Sequence, residues 1–574
     1  MAFVQAMTNP TALTKVGVNG ADVYTEKGVG NYLVTLFTML VRGLGEHTID
    51  EHVREIFLNP TLEDQRDLFV MAFQTRDVRG GKGERKLFYQ FLSSLYRHDK
   101  ETVTKLLPLL PEYGCWRDMW EMMRHVPALE AEVVSIVTSV FAEDKKKMEE
   151  DKKHKMSLLA KWIPREGSGT YRGIARTLAN ALYPTEKSER KRIVMYRKDV
   201  SAMNKALKTV EINMCGKTWA HISPEAVPGR CLKIHKKAFL NLPKAVKKEE
   251  GEEGEEKGGE KKDGEKKDGE KKEEQTLRHP EDKDRNECRE HFLAFIEDLK
   301  NGKKKAHGAH VIMPHELVAT CLSRTSSKEE LEINQGQWTS ILEKTLELGG
   351  LRRSVPMSDF SGSMSGLPKL ISLALGILIS EVNHDSFKDH ILTFDAQPTW
   401  HSFSGYTTLK EKVDSISRQL GQGMNTNFFG ACMSILERMK AHRVPVGEEP
   451  EDLIVLTDMG FDEASDCSSD TWTTQLTLIQ DAFHQAGEEV WGVGKGWKPP
   501  RIVIWNLRAE YNDFHAKADQ EGVLQLSGWS PSVLKVLQTK GIQPETPEQG
   551  LRAVLDDCRY DPVRAIWNAL HALP

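Results

Sequence analysis

Ser354 to Gly366 reads SVPMSDFSGSMSG, and the apolar, helix-spaced LPKLISLALGILISEV follows directly. A short apolar run that breaks at a Gly/Ser turn and opens into a helix is the βα step of an α/β domain. The same alternation continues downstream through HILTFDA, LKEKVDSISRQL, FFGACMSILERMK, DLIVLTDM, TTQLTLIQDAFHQA, RIVIWNL, VLQLSG and PSVLKVLQ. Residues 350–540 are therefore expected to form a doubly wound, Rossmann-like sheet, with 541–574 as a C-terminal helical extension. Upstream the period is helical: NYLVTLFTMLVRGL, RDLFVMAFQTRDV, ERKLFYQFLSSLYRH and ALEAEVVSIVTSVFAED are separated by short Gly or Pro turns. Residues 1–346 are expected to be a HEAT-like array of stacked helical hairpins. The expected fold class is thus α plus α/β.

Within that array the segment from Lys247 to Glu274 contains only Lys, Glu, Asp and Gly. With no apolar group to bury it cannot offset the entropy of ordering, so 247–285 is expected to be a disordered insertion. The chain is near neutral in total, at −5, but Lys145 to Lys248 holds 26 Lys or Arg against 9 Asp or Glu. That local balance of +17 leaves −22 for the remainder. A basic block in an otherwise acidic chain points to a polyanion partner, because each neutralised phosphate releases counterions. Arg197, Lys198 and Lys205 are interleaved with Val194, Tyr196 and Met203 and so belong to folded structure, while Lys161 and Arg165 flank Trp162 in KWIPR. These five cations are the candidate RNA contacts. The lysines at 145–155 are equally well read as the solvated face of a helix. RDVRGGKGERK, Arg76 to Lys86, lacks the GxxxxGK[ST] order of a phosphate loop and is read as an inter-helix turn, with exposed cations as secondary candidates for nucleic acid.

The α/β half carries a second candidate site. Asp359, Ser361 and Ser363 alternate along the turn after the first strand, GQGMNTNFF supplies Thr426, and DLIVLTDMG supplies Asp458 just past its strand. In a doubly wound sheet ligands gather at the carboxyl ends of the strands. Two carboxylates and a few hydroxyls form a hard-oxygen set with too few charges for a calcium cage. The set suits Mg2+, or another divalent cation, with a coordination position left for an acidic group on a protein partner.

DFSGSMSG, MNTNF and LTDMG resemble the metal-ion-dependent adhesion site of von Willebrand factor type A domains, with Asp359, Ser361 and Ser363 matching its first motif, Thr426 its threonine and Asp458 its later aspartate. VRGGKGER, YGCWRDMW, LAKWIPRE, the run from Tyr196 to Pro228, GAHVIMPHELV, VIWNLRA and LDDCRYDPVR are similar to an uncharacterised family catalogued as domain of unknown function 2828, over nearly the whole chain apart from the insertion. The layout is in turn similar to the Ro (TROVE) RNA-binding proteins, in which a ring of HEAT-like helices carries a type A domain. The resemblance implies RNA on the helical half and metal-dependent docking on the α/β half.

No GxSxG, HExxH or strand-borne GxGxxG is found, and His307, His310 and His315 lack a ligand partner at zinc spacing. The expected function is a non-catalytic RNA-binding or ribonucleoprotein scaffold; a protein–protein scaffold without RNA is the alternative. Eight scattered cysteines with no CxxC pair suggest reduced thiols, and no apolar run approaches the roughly 18 residues of a membrane span. A cytoplasmic location is expected, with the nucleus as the alternative.

Overall fold

A computed structural model describes residues 13–58, 61–243, 277–308, 311–347, 349–394, 398–417, 427–461, 475–538 and 544–571. Most of the insertion, together with Thr426, His310 and Cys467, lies outside the described residues. Two compact units are present: Met1–Thr209, His310–Leu322 and Trp338–Pro574 form the first, and Val210–Ala309 with Ser323–Gln337 the second.

The first unit contains a six-stranded sheet built from β3 (Ser354–Asp359), β4 (His390–Phe394), β5 (Thr399–Ser402), β6 (Asp452–Thr457), β7 (Arg501–Asn506) and β8 (Val523–Ser527). Its order is β5-β4-β3-β6-β7-β8, parallel throughout except for the antiparallel edge strand β5. Strands β3, β6, β7 and β8 are buried along their whole length, which is why they read as unbroken apolar runs and not as alternating ones. One core joins Val355, Met357, Leu453, Val455, Ile502 and Ile504 to Phe428, Ile435, Ile479 and Phe483 of the helices Phe428–His442 and Gln475–Trp491. The helix Leu367–Val382 approaches β3 so closely at Gly376 that a Cβ there would stand 2.6 Å from Ser358 Oγ.

Two short strands precede all of this: β1 (Thr14–Val16) pairs antiparallel with β2 (Asp22–Tyr24). Val23, within the stretch expected to be a helical array, lies instead in a strand. Its neighbour Tyr24 bridges Phe514, and Ala21 and Val23 are buried in the sheet-side core.

A second core of the same unit gathers the helices between Tyr32 and Ala206. The C-terminal helices Pro547–Leu555 and Asp561–His571 contribute Leu551, Leu555, Val563 and Trp567 to it. Tyr113 donates to the Arg559 carbonyl at 2.6 Å, and Arg559 Nη2 meets Asp77 Oδ1 at 2.7 Å. The segment read as an extension is thus part of the helical core, and the compact units do not follow the three consecutive stretches expected from the sequence.

In the second unit Trp219, Leu232, Phe239, Cys288, Phe292 and Ile296 form a small helical core, with Phe239 and Phe292 stacked at 4.6 Å. The helix Lys283–Lys300 starts on Asp282, whose carboxylate accepts from the Arg285 amide. The expected insertion boundary at 285 is therefore too late, because a capped helix is already under way at Lys283. Before it, Asn241 ties the two flanks together: its carbonyl accepts from the Arg278 amide at 2.8 Å, its Nδ2 donates to the His279 carbonyl and its Oδ1 accepts from the His279 amide. Among the described residues no helix is long and apolar enough to cross a membrane.

Candidate metal centre and basic groove

Strand β3 ends on Asp359, and its neighbour β6 ends on Thr457 with Asp458 next in the chain, the two strands being in register at Ser358 and Leu456. This pair flanks the point at which strand order reverses, where the carboxyl ends of a doubly wound sheet leave a crevice. Asp359, Ser361 and Asp458 are buried, and Ser363 is half-buried. Asp359 Oδ1 accepts from the Ser361 amide at 2.9 Å and Oδ2 from Thr457 Oγ1 at 2.8 Å, while the Ser361 and Ser363 hydroxyls lie 3.0 Å apart. Asp458 Oδ1 accepts from the Gly460 amide at 3.2 Å. Its Oδ2 is buried with no hydrogen-bond partner.

Burial, reinforced by the Asp458 charge, pushes the Asp359 carboxyl up to about 7; burial also raises Asp458, against the opposing pull of the Ser363 hydroxyl. An orphaned buried carboxylate oxygen beside a second carboxylate and two hydroxyls is a donor set that a hard divalent cation satisfies. The described residues therefore fit such an ion. Among the described residues there is no group of three or more His, Cys, Asp or Glu that could hold a metal ion; the set here has two carboxylates, and the rest are hydroxyls. Thr426 cannot be placed, as the described chain resumes at Asn427, which caps Phe428–His442 by accepting from the Gly430 amide.

Sequence reading missed three neighbours of the site. Thr457 orients Asp359, Arg508 Nη1 donates to the Ser363 carbonyl and pairs with Glu510, and Asn19 Nδ2 donates to the Gly460 carbonyl at 2.8 Å. Thr457 was legible as the residue before the motif aspartate. Asn19 lies 441 residues from its partner, and no local pattern could have found it.

Three of the basic candidates, Arg197, Lys198 and Lys205, sit in the first unit on the helix Glu189–Ala206, which Ser188 caps by accepting from the Lys191 amide. Ile193, Tyr196, Val200 and Met203 make its buried face, leaving Arg197, Lys198 and Lys205 exposed. Tyr196 donates to the Pro164 carbonyl and Asn204 to the Ala160 carbonyl, each at 2.6 Å. These bonds hold the KWIPR segment against the helix. Two adjoining clefts result. One, of about 620 Å³, is lined by Arg165, Glu166, Gly167, Ser168, Gly169, Arg172 and Arg197. The other, of about 460 Å³, is lined by Val194, Arg197, Lys198, Ser201, Ala202 and Lys205. Four of the five candidate cations are thus brought together and share Arg197. Lys161, half-buried, lines neither cleft.

The other basic motifs line neither cleft. Arg76 is buried in a two-pronged pair with Asp118 at 2.8 and 3.2 Å. Lys82 is 0% exposed, and its ammonium donates to the Phe37 and Leu40 carbonyls and to Ser527 Oγ. The RGGKG loop, read as an inter-helix turn with exposed cations, keeps Arg79 exposed, as are Arg85 and Lys86 after it, yet it is packed so tightly that a Cβ on Gly81 would stand 1.9 Å from the Gln74 carbonyl oxygen. Lys145 pairs with Asp199, Lys147 with Glu143 and Lys153 with Asp151.

Residues 124–249 match the family model described as "Domain of unknown function (DUF2828)", a stretch that contains every candidate RNA contact. Residues 353–564 match a differently described model, "Domain of unknown function (DUF7788)", which spans the described metal candidates. The chain is also 24% identical over 522 residues, 87% of its own length and 81% of the relative's, to "Uncharacterized protein L728" of Acanthamoeba polyphaga mimivirus.

Proposed function

We propose that the protein is a non-catalytic ribonucleoprotein scaffold: a HEAT-like helical part that holds RNA phosphates, and a von Willebrand factor A-like domain that docks a protein partner through a divalent cation. The observation that carries the RNA reading is the convergence of Arg165, Arg197, Lys198 and Lys205 on two clefts that share Arg197. Cations on a rigid helix face, open to solvent, suit a phosphate backbone. The type A reading is supported by the strand order, which counted within the domain is 3-2-1-4-5-6 with an antiparallel edge, and by the orphaned Asp458 oxygen. Asp359, Ser361, Ser363 and Asp458 would hold Mg2+, with Thr426 added from the resemblance. When bound, the ion supplies an open coordination position for a partner's carboxylate. No disulfide joins the seven cysteines among the described residues, in keeping with a reducing, cytoplasmic setting.

The test is binding of single-stranded RNA across a salt series. Changing Arg197 and Lys198 together to Glu should weaken binding to all sequences alike and flatten the dependence of log K on log salt. Unchanged affinity and slope would remove the RNA reading and leave a scaffold for proteins alone.

A further inference from the structure

The two clefts differ in the kind of cation they present, three guanidinium groups in one against one guanidinium and two ammonium groups in the other, and the difference bears on which part of an RNA each would hold. The cleft along Glu189–Ala206 presents Arg197, Lys198 and Lys205 in a row beside Val194 and Ala202, a surface for successive diester phosphates and their sugars. The adjoining cleft gathers three guanidinium groups, Arg165, Arg172 and Arg197, around the Gly167-Ser168-Gly169 loop, against the single carboxylate of Glu166. Its net charge of +2 is below the +3 of the cleft along Glu189–Ala206, so the guanidinium content and not the total charge sets it apart. A backbone diester carries one negative charge, whereas a terminal phosphate monoester carries about −1.5 to −2 at pH 7 with three acceptor oxygens.

Guanidinium forks are matched to such an oxygen set, pairing in two-pronged fashion. Arg197 Nη1 stands 3.7 Å from Glu166 Oε2, an ion pair too long for a direct hydrogen bond. A dianion entering the cleft can thus compete for Arg197 at little cost. Arg172 opens the helix Arg172–Leu182, and Ser168 Oγ accepts from the Tyr171 amide at 3.2 Å, which anchors the glycine loop to the start of that helix.

We propose that the Arg165, Arg172 and Arg197 cleft binds the terminal phosphate of an RNA strand whose backbone then runs past Arg197 along Lys198 and Lys205. This inference rests on the RNA reading above, and its test separates the two. The full chain is titrated by fluorescence anisotropy, at one fixed ionic strength, with a labelled oligonucleotide of a single sequence bearing a 5′-phosphate, a 3′-phosphate or hydroxyls at both ends. One phosphorylated form should bind about tenfold more tightly than the hydroxyl form, and which one it is assigns the strand's polarity. Arg172→Ala, an exposed position whose melting temperature should match wild type, should abolish that advantage, and Arg172→Glu should reverse it. Equal affinity for all three oligonucleotides overturns the terminal-phosphate site and leaves RNA binding standing. No binding of any of them overturns both. A phosphoserine peptide that displaces the phosphorylated RNA at lower concentration would reassign the cleft to a phosphoprotein and overturn the inference.

Discussion

Lys82 is a charge placed where charge is costly. Burial pulls its pKa well below the ordinary lysine value, against a smaller opposing pull from Glu84, which is itself paired with Arg42. Because the unfolded chain holds a proton there up to about pH 10.4, it binds more protons than the folded chain between the lowered value and that limit, so the residue's contribution to stability rises with pH across that window. Lys82→Met leaves the Leu40 carbonyl and the Ser527 hydroxyl short of a donor, a cost of about 1–3 kcal/mol. Urea denaturation of the two proteins between pH 8 and pH 10 should show the wild type gaining on the variant; parallel curves would mean that Lys82 keeps its proton throughout. At the other end of the residue scale, Asp359→Asn keeps the size of a buried side chain but removes the anchoring charge of the proposed metal site. Added Mg2+ should raise the melting temperature of the wild type and leave that of the variant unmoved. An equal response from both would place the ion elsewhere.

Among the elements, the join at Asn241 shows why a long polar segment can interrupt a helical region without ending it. Asn241 is buried at φ +53°, in the left-handed region, and its side chain and carbonyl clasp both flanks of the segment 244–276. Loop-closure entropy changes by only about 0.6 kcal/mol per doubling of length, so replacing Lys247 to Glu274 with a short Gly/Ser linker should shift the melting temperature by no more than a few degrees. Asn241→Ala, by contrast, loses the left-handed preference and three hydrogen bonds by Asn241 Nδ2 and Oδ1, and should destabilise by about 2–4 kcal/mol. The expectation is reversed if the linker unfolds the chain and the alanine variant melts like wild type. That residues 194–205 belong to folded structure was legible from Val194, Tyr196 and Met203 among the cations, whereas the helix bounds and the Ser188 cap came from the structure. The short β1–β2 pair was not, since strands of three residues carry too little alternation to register.

For the molecule as a whole, the C-terminal helices matter more than their position at the end of the chain suggests. Trp567, Val563, Leu555 and Leu551 are buried among residues from the first 203, and Arg552 meets Asp67 at 2.6 Å. Truncation after residue 546 should therefore expose the helical core and yield aggregated or molten protein by size exclusion and near-ultraviolet circular dichroism. A truncated chain with native spectra and melting would show that these helices are accessory. The change of hydrophobic period near residue 350, the Asp-Ser-Ser turn after β3, the Asp458 that follows β6 and the composition of the insertion were all determined by the sequence alone, because each is a local pattern with one physical reading. Only the tertiary structure decided that Lys82 is a buried pin to Ser527, that Asn19 reaches Gly460, that Arg508 braces Ser363 and that Val23 and Trp567 are each buried in a core. Periodicity tells a residue which face of its element is buried, but the partner on the other side of that face lies hundreds of residues away and is chosen by packing.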